Sequence, residues 1–338
     1  MAKAAKRSLE DTLADLHQLR ADPLSATSIA TLRHVLGGKT SHAVAKAAQI
    51  AGEFEIAALT ADLAAAFDRL MVNPAKSDPG CRAKAEIADA LYRIGSDDAA
   101  VFLRGIRHVQ MEPVWGGRVD TATALRGACA LGLVRMNYPD ALSELADLLA
   151  DPETPARVAA ARAVAYSEND NGVPLLRLKV LVGDPESEVV SECLVGLLKL
   201  APGPSLAFAA RQLDAPQPTT REAAALALGG SRVRDAFPVL RAWWERTVET
   251  DLRRTALLAM AMLKHDEAIE FLLSLIDSGD GPTARQAIAA LALYRHDDTL
   301  SERVAQTVRR RADVKLADAF AESFDAAPRS EATRRHRG

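Results

Sequence analysis

The chain is 338 residues long, 49% hydrophobic and 26% charged, with a formal net charge of −3. That balance suits a globular protein with a sizeable core and lacks the basic excess that draws nucleic acid. Only 4% of the residues are aromatic while 66 are alanine, which favours closely packed helices over a β-sandwich or barrel, and no stretch reaches the roughly 20 apolar residues of a membrane span.

From the N-terminus, Lys3, Lys6 and Arg7 lead directly into Ser8-Leu9-Glu10-Asp11, which reads as a helix start. No apolar run or cleavage site follows, so a cytoplasmic protein without a secretory leader is expected. Gly37-Gly38-Lys39-Thr40 has the tail of a phosphate-binding loop without its upstream glycine or a preceding strand, and reads as a turn between helices. Cys81, Cys129 and Cys193 are odd in number, far apart and set in alanine-rich amphipathic runs. They are expected to be buried thiols in a reducing compartment.

An octet of the type R-x-A-A-A-x-A-L recurs from anchors at Ala43, Lys84, Arg126, Arg157, Val190, Arg221, Arg253 and Arg285. The intervals are 41 and 42 residues at first and then 31, 33, 31, 32 and 32. Positions three, six, seven and ten after the anchor, as in Cys129, Gly132, Leu133 and Met136, are small or apolar and form one helical face. A turn and a second amphipathic helix follow, as in Leu142, Leu145, Leu148 and Leu149 or Ile269, Leu272, Leu275 and Ile276. The turns that separate one hairpin from the next carry Asp151-Pro152, Asp184-Pro185, Ala215-Pro216 and Gly279-Asp280-Gly281-Pro282. One such hairpin cannot bury its apolar face, whereas stacked neighbours can. An all-α solenoid with no strand is the expected architecture.

The pattern D-P-x-x-x-x-R-x-A-A-x-A-L resembles the HEAT repeat, in the short HEAT-like form found in bacterial proteins and phycobilisome lyases. The resemblance spans roughly residues 24–310 and implies a right-handed α-solenoid of about eight HEAT-like helical hairpins. Residues 1–23 are then a basic tail and capping helix, 311–326 a C-terminal capping helix, and 327–338 a disordered basic tail. The resemblance also implies a ladder in which a turn aspartate pairs with a base six positions later. Asp78/Lys84, Asp120/Arg126 and Asp151/Arg157 keep that spacing. Asp214/Arg221 is one residue longer, Asp280/Arg285 one shorter, and Asp184/Val190 has lost the base, which breaks the ladder there.

The segment G-I-R-H-V-Q-M-E-P-V-W-G-G-R-V-D, Gly105 to Asp120, interrupts the repeat with a longer turn. His108, Glu112, Trp115 and Arg118 are candidate contact residues there; the alternative is a loop that packs Trp115 over the change in repeat length. Trp243 is expected in the core and Trp244 partly exposed. His265-Asp266-Glu267 and His296-Asp297-Asp298 fall at matching turns and read as helix caps. No H-E-x-x-H, G-x-S-x-G or phosphate loop occurs, so no metal and no cofactor is expected.

If the anchor helices line the concave face, as the resemblance implies, positions one, four and five after the anchor point into a groove. The candidates are Arg162, Leu194, Val195, Glu222, Leu226, Arg254, Leu257, Leu258 and Gln286. Such a mixed face suits a helix or extended peptide of a protein partner and lacks the carboxylate or histidine clusters of acid–base catalysis. The reading is therefore a non-catalytic protein–protein interaction scaffold or adaptor, with no membrane partner and nucleic acid reached only weakly through the basic tail. The resemblance carries two alternatives. One is a bilin lyase or isomerase built on Trp115, His108 and Arg118; the other is a DNA-binding protein like the HEAT-repeat alkylpurine glycosylases, against which the net charge and the nearly apolar groove count.

Overall fold

The computed structural model describes residues 9–324; residues 1–8 and the tail expected at 327–338 lie outside the described residues. The chain divides into two compact units, 1–179 and 180–338.

In unit 1 the helices are α1 (Leu9–Gln18), α2 (Ala26–Leu36), α3 (Ser41–Glu53), α4 (Thr60–Leu70), the short α5 (Pro74–Ser77), α6 (Arg82–Ile94) and α7 (Ala99–Ile106). Strands β1 (Met111–Val114) and β2 (Gly117–Asp120) follow, then α8 (Thr123–Arg135), α9 (Ala141–Leu149) and α10 (Thr154–Tyr166). The boundary falls inside α11 (Val173–Val182). Helices α3, α6, α8 and α10 stack in that order as one layer, and α2, α4, α7 and α9 pack on them as a second.

Unit 2 holds α12 (Ser187–Leu200), α13 (Pro202–Gln212), α14 (Pro218–Gly230), α15 (Ala236–Arg246), α16 (Thr250–Met262) and α17 (Asp266–Ser278). It continues with α18 (Gly281–Leu291), α19 (Asp298–Arg311) and α20 (Val314–Phe324). Here α12, α14, α16, α18 and α20 stack in order, with α13, α15 and α17 against α14, α16 and α18. Each unit is an all-α solenoid stack, and every recurring octet lies on a helix of the first layer. Each layer buries one stripe against the other, which a lone hairpin could not do.

Local chemistry sets the helix ends. Side chains of Ser25, Asp98, Asp280 and Asp297 accept backbone N–H groups of α2, α7, α18 and α19. Pro155, Pro218 and Pro282 occupy first-turn positions, where no intrahelical hydrogen bond is lost. The small residues let helices approach closely: a Cβ added to Gly229 on α14 would lie 2.4 Å from the Ala259 carbonyl oxygen on α16. In unit 1, one added to Gly132 on α8 would enter the Phe102 ring at 2.3 Å.

Two expectations need correction. The two strands contradict an architecture without any: β1 and β2 pair antiparallel, Met111 opposite Asp120 and Val114 opposite Gly117. The last octet also starts one residue early, at Ala284, which is buried, while Arg285 is exposed. With Ala284 as anchor, Ala287, Ala290 and Leu291 take the buried third, sixth and seventh positions, like their counterparts in earlier repeats. Asp280 caps α18 by accepting from the Thr283 N–H.

Candidate functional site

The hairpin between α7 and α8 joins buried polar chemistry at its base to exposed apolar side chains at its tip. Trp115 and Gly116 form the two-residue connection, and Gly116 takes φ +90°, a left-handed conformation that glycine adopts without strain. Trp115 is fully exposed at 103%, with Val114 at 50% and Val119 at 42%. Nothing lies within 4 Å of where side chains would stand at Gly116 and Gly117. The tip therefore leaves the helices altogether.

The base is tied down by the ladder. Asp78 and Lys84 are both buried and paired at 3.0 Å, and Asp78 also accepts the backbone N–H groups of Ala83 and Lys84. The buried Arg126 reaches Asp120 at 2.7 Å and the His108 carbonyl at 2.8 Å through Nη1, and Asp151 at 3.1 Å through Nη2. Gln110, itself buried, donates from its backbone to Asp120 and from its side chain to the Asp78 carbonyl. Glu112 accepts from the Gly80 backbone at 2.7 Å, from Thr121 Oγ1 at 2.9 Å and from Gln110. Such pairing compensates most of the buried charge; Arg126 Nε lies 3.0 Å from an Asp151 carboxylate oxygen as an ion pair without a hydrogen bond.

Electrostatics follow from this wiring. Burial would raise the Asp120 carboxyl, but donors from Gln110, Ala122 and Arg126 outweigh it and hold the group below its usual range. Glu112 behaves alike, lowered on balance by Gln110, Gly80 and Thr121 against the effect of burial. His108 is lowered by burial, opposed by its contact with Gln110, and so is neutral near pH 7. Burial pushes the Cys81 thiol up to about 12, with Lys84 opposing, and all three cysteines are free and buried.

Of the loop candidates, Trp115 and Arg118 are exposed on the hairpin, whereas Glu112 and His108 are half-buried parts of its base. They do not converge: Glu112 is consumed by three donors, and Arg118 Nη2 donates to the Met111 carbonyl at 3.0 Å. Sequence reasoning missed Gln110, which bridges the ladder and the hairpin. It also missed the pairing, although Val114 and Val119 flanking Trp115-Gly116 was a hairpin signal.

Among the groove candidates, Leu194 and Leu257 are wholly buried, which corrects their assignment to an exposed surface. The reason is angular: anchors face inward, and four residues on is only 40° further round the helix at 100° per residue. Position five lies 140° round, and there the side chains do emerge. In unit 1 Arg162 is exposed; in unit 2 Val195 is exposed and Leu226 and Leu258 half-exposed on the successive helices α12, α14 and α16. Glu222 and Arg254 are exposed and Gln286 half-exposed near this row. Trp243 is buried and Trp244 half-buried, flanked by the Arg253 guanidinium 4.3 Å from its ring.

In unit 2 the ladder changes form. Val190 has no base, Arg221 turns to Glu249 at 3.0 Å, and Arg253 donates to the carbonyls of Trp244 and Thr247. Asp214 is met by Arg246 at 2.8 Å. Asp297 accepts from the Leu300 N–H as a helix cap. Among the described residues no cluster of histidine, cysteine and acidic side chains could hold a metal, and no helix is long and apolar enough to cross a membrane.

Residues 206–293 match the family described as HEAT repeats. No curated protein matches the chain. Among solved structures it is similar to the complex of CpcE and CpcF of phycocyanin lyase from Nostoc, at 16% identity and a TM-score of 0.34 over 92% of this chain and 98% of that one. Residues 206–293 of unit 2 are thus matched to HEAT repeats, and the same octet recurs on the first-layer helices from α3 to α18.

Proposed function

We propose that the chain is a non-catalytic interaction scaffold that receives a helix or extended segment of a protein partner on the outward row of unit 2. The observation that carries this reading is the succession Val195, Leu226 and Leu258 on neighbouring stacked helices, bordered by Glu222 and Arg254. Apolar positions at regular spacing with isolated charges beside them suit helix-in-groove or extended-peptide recognition. The acids and bases that the repeats bring together in unit 1 pair with one another as bracing, which leaves them no catalytic proton to move. A cytoplasmic setting agrees with three buried free thiols.

The test places a photo-crosslinking residue at Leu226 and, as a control, at the exposed Glu270 on α17. A discrete adduct specific to position 226, lost when Val195→Asp and Leu258→Asp are added, is the expected result. Identical adduct patterns at both positions, or adducts insensitive to the double substitution, overturn the reading. Both substituted positions are already in contact with solvent, so circular dichroism should stay unchanged.

A further inference from the structure

We propose that the β1–β2 hairpin is an interfacial anchor that sets Trp115 into the headgroup region of an anionic lipid surface. This runs against the sequence-based expectation of no membrane partner and is independent of the row on unit 2. Three features of the hairpin choose this occupant over a second protein.

The first is the state of its edge. A partner strand would need a row of free backbone donors and acceptors. On β1, Pro113 has no N–H and the Met111 carbonyl is already taken by Arg118. The β1 edge is blunted against strand addition. The same blunting lowers the cost of bringing the hairpin near lipid, where an unsatisfied backbone group is expensive.

The second is size. Two strands of four residues make a face of about 13 by 10 Å, on the order of 130 Å², far short of the roughly 800 Å² per partner that a stable protein interface uses. A bilayer sets no such minimum and needs no shape complementarity. A fully exposed indole beside Val114 and Val119 is the kind of side chain that settles at a membrane–water boundary, apolar body inward and N–H outward.

The third is charge. From Pro113 to Val119 the tip carries one charge, Arg118, and no carboxylate. The hairpin's acids, Glu112 and Asp120, are folded into the base and hydrogen-bonded there. The turn hydrogen-bonded to that base through Gly80 and Asp78 also carries the exposed Lys76. Arg118 keeps donors beyond the one given to Met111, and these can meet lipid phosphate. Each such cation strengthens attraction to an anionic leaflet and makes it salt-sensitive.

The experiment uses the full chain with vesicles of phosphatidylcholine containing about one-third phosphatidylglycerol, and with phosphatidylcholine alone. Co-sedimentation with the anionic vesicles, weaker with neutral ones and weakened by salt, is expected. Trp115→Ala should lower partitioning about tenfold, and Arg118→Gln by a few-fold. The tryptophan emission should shift to the blue on binding, and Trp115→Phe should abolish that shift, since Trp243 is buried and Trp244 lies on unit 2. Leu226→Asp, on the proposed protein-binding row, should change none of these readings, so the two proposals fail separately. Absence of binding to the anionic vesicles overturns the inference, as does equal partitioning of wild type and Trp115→Ala. Trp115 and Arg118 are exposed, so these substitutions leave the fold intact, which circular dichroism checks.

Discussion

In unit 1 the basic side chain at the anchor position goes inward: Lys84 and Arg126 are buried and each meets a buried aspartate of its own repeat, while the buried Arg157 also donates to the Asp151 and Pro152 carbonyls. In unit 2 the same position holds Val190, Arg221, Arg253 and the buried Ala284, and the bases present pair with Glu249 or with carbonyl groups. The first-layer helices stack in both units. The stack therefore does not depend on the ladder, and the ladder in its buried form serves something else. It coincides with the hairpin, whose base shares Asp120, Gln110 and the His108 carbonyl with it. An inserted element with few apolar contacts is held by charge-assisted hydrogen bonds instead.

The strongest way to break this contrast is Arg126→Met. It strands Asp120 and Asp151 at a buried position and should cost unit 1 about 3–5 kcal/mol, read as weaker hydrogen-exchange protection of α8 and faster proteolysis at the hairpin. Adding Asp120→Asn and Asp151→Asn should recover much of the loss, since the uncompensated charge is then gone. Retained protection in the single variant would mean that the ladder does not hold the hairpin.

Acid gives a second, smaller effect. Because the folded Asp120 titrates below its ordinary 3.8, the stability it contributes is full above that value and is lost as the pH falls through the folded value. Unit 1 should lose protection at the hairpin base below about pH 4, and Asp120→Asn should flatten that dependence. The smallest effect belongs to unit 2. Arg221→Ala breaks a pair whose Glu249 is more than half exposed, and should leave the midpoint of urea unfolding almost unchanged. A loss as large as that of Arg126→Met would erase the distinction between the units.

Much of the fold was legible. Octets at near-constant spacing fell on the first-layer helices, because close packing demands small residues at the same helical angles in every repeat. The last anchor was misread by one residue because Arg285 mimics the ladder base in sequence while Ala284 does its packing. The site was less legible. Leu194 and Leu257 looked available because apolar residues on a helix do not announce which face they occupy; the inward anchor settles it. The hairpin escaped because Met111-Glu-Pro-Val and Gly117-Arg-Val-Asp alternate poorly and contain a proline and a glycine, both weak strand formers. It is held by Glu112 and Gln110 bonding to groups distant in sequence, the Gly80 N–H and the Asp78 carbonyl, and local propensity does not encode that.

Arg126 has one further consequence. Its guanidinium spans two consecutive repeats, holding Asp120 before α8 and Asp151 before α10. Opening either turn forfeits bonds in both, so these hairpins belong to a single foldon and exchange their amides together. Where Val190 leaves no such clasp, neighbouring hairpins are coupled by nearest-neighbour packing, and fraying can proceed one hairpin at a time. A change of one residue at the anchor thus sets the grain size of local unfolding.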